Sequence, residues 1–326
     1  SRYFTAQVGQ FDNGGGYLRA GDIDIESTGD VRNGDGQMRS DGDIRIGSAG
    51  VLQSGGSITA GRHLTVEAGG VQADDTSAFG AGVRGDGSIG EDGNLVVRAT
   101  GNLAARGANV AAGDLRLQGR SLDLSGSRTS ALNVDLSAVE GDLSTRGASV
   151  TATSTLAIRA DGTGATWIND GGAVKAQQLA VAASSIRNTA GGSIVQTGAT
   201  PLALTVADAR GLLGSIDNSA GAIASGGALD IKSAALNNDA GLLQSAGQLT
   251  IDTNGHALTN ANGAEILAKG DLAIASGALN NARGTIATEG AMHIGSGDLN
   301  NDAGLLQAVG QLAIDTHGQR MSNANG

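Results

Sequence analysis

The stretch Leu236-Asn237-Asn238-Asp239-Ala240-Gly241-Leu242-Leu243-Gln244 returns 63 residues later as Leu299-Asn300-Asn301-Asp302-Ala303-Gly304-Leu305-Leu306-Gln307. Between the two copies lie Leu258-Thr259-Asn260-Ala261-Asn262-Gly263 and Leu279-Asn280-Asn281-Ala282-Arg283-Gly284, so the interval divides into steps of 22, 21 and 20 residues. Near the amino terminus, Phe11, Val31, Val51 and Val71 follow one another at intervals of 20 and open similar phrases. A period of this length running through a chain marks a stacked repeat architecture. Working outward, the unit starts fall at Phe11, Val31, Val51, Val71, Leu103, Leu122, Leu143, Ile168, Ile186, Ile216, Leu236, Leu258, Leu279, Leu299 and Met321.

Within a unit, apolar residues recur near offsets 0, +7, +13 and +15, as in Leu236, Leu243, Leu249 and Ile251. The last two are separated by one residue. That is strand alternation, and no segment carries a 3.6-residue stripe. Each unit therefore reads as three short strands joined by turns. Such a unit cannot bury its own apolar side chains and must stack on its neighbours. The expected fold is all-β: a right-handed parallel β-helix of about 14–15 coils, ~20 residues each, as one repeat domain over 1–326. With coils ~4.8 Å apart, it would extend roughly 70 Å.

Two polar columns support this. At offset +2 stand Asn13, Asn33, Asn188, Asn218, Asn238, Asn260, Asn281, Asn301 and Asn323, which stacking would join in a turn ladder of side-chain amides. At offset +5 stand Gly16, Gly36, Gly56, Gly191, Gly221, Gly241, Gly263, Gly284, Gly304 and Gly326, read as the residue that reaches positive φ at the turn. The register breaks at three places, which predicts loops leaving the stack near 74–88, 161–166 and 195–214. The last holds the only Pro, Pro201. Insertions in solenoids become surface loops, where recognition tends to sit.

Composition narrows the function. The chain has 55 Gly, no Cys and six aromatics among 326 residues, with a net charge of −11. Without Cys there is neither a disulfide scaffold nor a Cys-based zinc site. No apolar run is long enough to span a membrane. Thirty-two acids against 21 bases argue against a nucleic-acid partner. The four His residues, His63, His256, His293 and His317, fall in different coils, so no metal site and no cofactor is expected. No Gly-rich turn is followed by Gly-Lys-Ser/Thr, which argues against a phosphate loop. Lys is scarce and the single Trp167 stands apart, so a carbohydrate-acting β-helix enzyme is only a minor alternative. In register, Asp24 falls beside Arg45 as a cross-coil ion pair, and Asp22 beside Asp43 as a like-charge stack able to hold a cation. The first loop contains Arg84-Gly85-Asp86, a receptor-binding candidate of the type integrins recognise; the plainer reading is a solvated Gly-rich loop. Phe79 stands in the same loop.

The phrase Leu-Asn-Asn-x-x-Gly-x-Leu-Gln-x-x-Gly-x-Leu-x-Ile, standing as Leu236–Ile251 and Leu299–Ile314, closely resembles the haemagglutinin repeat of filamentous haemagglutinin-like exoproteins. Weaker copies stand at Val31–Ile46 and Leu279–Ile294; the stretch from Leu103 to Val181 departs most and lacks the Asn column. The resemblance implies export through an outer-membrane two-partner-secretion transporter and a place on the Gram-negative cell surface. It also implies one of two roles. One is an adhesin segment meeting a host-cell receptor or glycan. The other is the stalk of a contact-dependent growth-inhibition protein that meets a neighbouring bacterial cell. The first residues lack a signal peptide's apolar core and the last stop inside a repeated phrase, so the chain reads as an internal stretch of something longer.

Overall fold

The computed structural model describes residues 2–325. Among the described residues every regular element is a strand, and no α-helix occurs. Contacts divide the chain into two compact units, one ending at Arg159 and the next beginning at Ala160.

In the first unit, short strands stack in parallel register from coil to coil. Phe11 lies opposite Val31, Leu103 opposite Val71, and Leu122 opposite both Leu103 and Leu143. The third-strand residues Ile23, Ile44, Leu64, Leu95, Leu115, Val134 and Leu156 form another column. Alternate side chains point inward and are fully buried; Ile25, Ile46, Val66 and Val97 have no exposed surface. Each buried Leu, Ile or Val contributes ~1.5–3 kcal/mol of transfer free energy. A strand at Tyr3–Val8, pairing with Asp22–Ser27, precedes the coil that opens at Phe11.

The second unit repeats the arrangement more regularly. A typical coil has strands Ile216–Asp217, Ala222–Ser225 and Leu229–Lys232. Ile216, Leu236, Leu258, Leu279, Leu299 and Met321 stack in turn.

Several expectations are corrected. The stacked residue of the third coil is Leu52, which pairs with Val31 and Val71, not Val51, which lies opposite Gly70. A register shift between Ser48 and Val51 absorbs the extra residue. Likewise Trp167, not Ile168, faces Ile186, and Trp167 is fully buried. The turn ahead of it covers 161–165, and Thr166 is already in the strand.

The predicted loop at 74–88 contains a strand of the stack. Ala78–Ala81 pairs with Ser57–Ala60 and with Ala108–Ala111, burying Phe79 between Ile58 and Asn109. The part that projects begins at Gly82, and Ile89 does not resume the repeat: it bridges Val83 in antiparallel fashion. The predicted loop at 195–214 holds the strand Leu202–Thr205, paired with Leu229–Lys232, with Leu202 and Leu204 buried. Only the hairpin closed by Ala207 and Leu213 leaves the stack there. In both loops, alternating apolar side chains gain more by burial in the stack than the insertion costs in loop closure.

Candidate functional site: ladders and projecting hairpins

The Asn column forms a continuous chain of hydrogen bonds in the second unit. Each Nδ2 donates to the next Oδ1: Asn188 to Asn218 at 2.7 Å, then Asn218 to Asn238, Asn238 to Asn260, Asn260 to Asn281 and Asn281 to Asn301, each at 2.7 Å. Asn301 donates to Asn323 at 2.6 Å. Asn169, which stands at offset +2 once Trp167 and not Ile168 opens the coil, donates to Asn188 at 2.8 Å. The side chains also reach backbone carbonyls, as Asn218 Nδ2 does at Leu242 O (3.1 Å). Buried amides are thereby satisfied on both ends. In the first unit the column is short. Asn13 donates to Asn33 at 2.8 Å and Asn33 to Ser54 Oγ at 3.4 Å; Ala73, Ala105 and Leu124 then occupy the position.

The Gly column serves a purpose other than the expected one. Within it only Gly191 and Gly263 adopt positive φ, in turns one residue longer; Gly326 lies outside the described residues. The left-handed residue is usually the one before, such as Ala220 (φ 53) and Ala240 (φ 54). Gly is needed because a Cβ at Gly241 would stand 2.3 Å from Asn218 O, and one at Gly284 would stand 1.8 Å from Asn260 O. The preceding coil's backbone leaves no space for a side chain.

A second ladder, absent from the sequence reading as a whole, runs along the start of the third strand in the first unit. Asp22 Oδ1 accepts Asp43 N–H (2.9 Å), Asp43 Oδ1 accepts His63 N–H (3.1 Å), and His63 Nδ1 accepts Asn94 N–H (3.2 Å). Asn94 Oδ1 accepts Asp114 N–H (2.9 Å), Asp114 Oδ1 accepts from Asn133 Nδ2 (2.9 Å), and Asn133 Oδ1 accepts from Thr155 Oγ1 (2.8 Å). The signal was present as an acceptor side chain just before each inward pair. Asp22 and Asp43 are therefore no bare like-charge stack: their oxygens take backbone N–H groups, and Arg62 meets Asp43 at 3.0 Å. Asp24 does lie opposite Arg45, yet Arg45 pairs with Glu26 at 3.3 Å. Among the described residues no group of three or more His, Cys, Asp or Glu is placed to hold a metal.

Arg84, Gly85 and Asp86 are exposed at the tip of the first hairpin. The tip is wired: Arg84 N–H donates to Ser88 O (2.8 Å), Gly87 N–H to Arg84 O (2.9 Å), and Arg39 Nη2 to Arg84 O (2.7 Å). Asp86 Oδ1 accepts from Ser88 Oγ (2.7 Å) and Ser88 N–H (2.9 Å), which hold its carboxyl below the usual range. The second hairpin is tied similarly. Asp208 Oδ1 accepts N–H from Leu212 (3.0 Å) and Arg210 (2.9 Å), which lowers that carboxyl too. Leu212 stands exposed at its tip.

Compared with known proteins, the chain matches the haemagglutinin repeat family over residues 4–35, 33–83 and 245–325. It is 31% identical over 227 residues to a toxin CdiA of Yersinia pestis, covering 61% of this chain and 7% of that protein. It is 38% identical over 89 residues to tRNA nuclease CdiA-2 of Burkholderia pseudomallei strain 1026b, covering 27% of this chain and 3% of that protein. The chain thus spans less than a tenth of the length of these curated relatives. No solved structure matches it significantly.

Proposed function

We propose, for a chain that belongs to the haemagglutinin repeat family of filamentous haemagglutinin-like exoproteins, that it is a display segment on the bacterial surface. Its coils carry the Arg84–Asp86 hairpin outward to a host-cell receptor or glycan. The observation behind this reading is the hairpin tip, exposed yet held by Ser88 and Arg39. Preorganisation of that kind cuts the ordering cost of binding. The segment acts as a structural part, not as an enzyme, and reaches the surface through an outer-membrane two-partner-secretion transporter. A chain without Cys crosses an oxidising compartment unfolded without cross-linking. The test is binding of the purified chain to host cells. Asp86→Glu should abolish it, because the longer carboxylate misplaces the charge. Undiminished binding by that variant overturns the hairpin's role.

A second reading is favoured by the names of the relatives, both CdiA proteins. Here the coils are a spacer that holds a toxin and a receptor-binding tip away from the producing cell. Deleting the 63-residue block from Leu236 to Asp298 in frame should then shorten the reach and leave inhibition of neighbouring cells intact. Complete loss of inhibition counts against a spacer.

A further inference from the structure

A groove of about 1210 Å³ runs across six successive coils of the first unit. Its floor is one register row. Asp12 lies opposite Arg32, Arg32 opposite Gln53, Gln53 opposite Gln72, Gln72 opposite Ala104, and Ala104 opposite Asp123. At ~4.8 Å per coil the row is roughly 24 Å long. The surface is hollow because glycines flank the row: Gly34 and Gly55 on one side, Gly50, Gly69 and Gly70 on the other. The strands Ile44–Ser54 and Leu64–Ala73 also run straight through this corner without a projecting turn.

The chemistry of the floor selects a ligand class. Its backbone is already paired coil to coil, for example Val71 N–H to Asn102 O (3.1 Å) and Leu103 N–H to Ser121 O (3.0 Å), so no sheet edge is offered to a peptide strand. The four carboxylates lining the groove, Asp12, Asp35, Asp74 and Asp123, outnumber Arg32 and Arg106, and Arg106 is held by Asp123 (Nε to Oδ2, 2.8 Å). A polyanion is therefore repelled. An apolar small molecule would find no enclosed apolar pocket. What remains is a row of planar groups on four successive coils, Asp12, Arg32, Gln53 and Gln72, followed by Ala104 and then Asp123. Each planar group offers two in-plane hydrogen-bonding positions. That array suits adjacent hydroxyls on a linear, uncharged, polyhydroxylated chain.

We infer that this groove binds a neutral oligosaccharide along its length, with the exposed amides of Gln53 and Gln72 at its centre. With no aromatic ring on the floor, affinity for a short sugar is weak, in the millimolar range.

The test is a nuclear magnetic resonance titration of the whole chain, following the side-chain amide signals of Gln53 and Gln72. The probes are maltohexaose, cellohexaose and chitohexaose, with dextran sulfate as the anionic arm and an unstructured decapeptide as the peptide arm. One neutral hexaose should shift both amides by about 10 mM, and Gln53→Ala with Gln72→Ala should weaken that binding about tenfold. Gly34→Phe gives a plug that spares the fold, because a Cβ there meets only Gly14 Cα at 3.8 Å. It should remove binding at an unchanged melting temperature. Three results each overturn the inference: no shift with any neutral hexaose, a response confined to dextran sulfate or the peptide, or binding unchanged in both the amide and plug variants.

Discussion

The two units stack coils of similar length, yet they stitch those coils together at different corners. In the second unit the stitching is buried. Asn188, Asn218, Asn238, Asn260 and Asn281 pass hydrogen bonds along the first turn, and the carbonyls of Asn188, Asn218, Asn260 and Asn281 press on Gly221, Gly241, Gly284 and Gly304 of the next coil. In the first unit that corner is filled by Leu124, Ala105 and Ala73, and the polar stitching moves to the half-exposed run from Asp22 to Asn133. Cross-coil ion pairs such as Arg116–Asp135 (2.7 Å) and Arg106–Asp123 (2.5 Å) add to it at the surface. A buried polar ladder demands that every member be satisfied, and so fixes the register at its own corner. The second unit accordingly admits the hairpin closed by Ala207 and Leu213 at another corner, with the Asn188–Asn218 bond intact. The first unit accommodates the hairpin at Gly82, the register shift at Ser48 and the open groove.

This contrast can be broken from the buried side first. Asn238→Leu strips Asn260 Oδ1 of its buried donor, at ~1–3 kcal/mol, and removes one acceptor of Asn218 Nδ2, which keeps Leu242 O, so the coils around it should lose roughly 3 kcal/mol. Hydrogen exchange should show faster opening centred on those coils, since solenoid stability is largely nearest-neighbour. Ser54→Ala, at the same corner of the first unit, should cost only about 1 kcal/mol. An equal effect of the two would erase the distinction. Gly241→Ala comes next: the added methyl meets a backbone carbonyl, and the forced shift should cost about 2 kcal/mol, read as a lower midpoint in denaturant.

On the exposed side, Arg116→Ala should cost under about 1 kcal/mol, and salt should shrink the difference from the parent chain. Asp86 gives the smallest effect, a local one in its hairpin. Its carboxyl lies below the ordinary aspartate value because Ser88 donates to it, so the folded form is favoured above that ordinary value. That contribution disappears as pH falls through the lowered value. The Ser88 amide resonance should move in that acid window, and Asp86→Asn should abolish the movement.

Much of this architecture is legible in the sequence alone. Offsets 0, +7, +13 and +15 placed Leu236, Leu243, Leu249 and Ile251 inside, and they are buried. Spacing could not tell Ile168 from Trp167, since both are apolar and adjacent. Only burial of alternate side chains after the turn at 161–165 chose the ring. Spacing alone also assigns Phe79 to a loop, because an insertion of about 12 residues shows in the spacing, but not where within the interval it leaves the stack. The acceptor ladder of the first unit escaped because its members differ in type, Asp, His and Asn, while sharing one geometric task.

The sequence by itself determined the repeat, the parallel all-β stack and the family, because a coil that cannot bury its own apolar residues must repeat the same pattern to be covered by its neighbours. It also determined where Asn and Gly recur. Only the tertiary structure decided why Gly recurs, since the clash comes from a carbonyl about 20 residues away and not from the local backbone angle. It likewise decided which insertion residues project, and that glycines in separate coils line one groove. Those properties depend on contacts between coils, and a single coil's residues do not specify them.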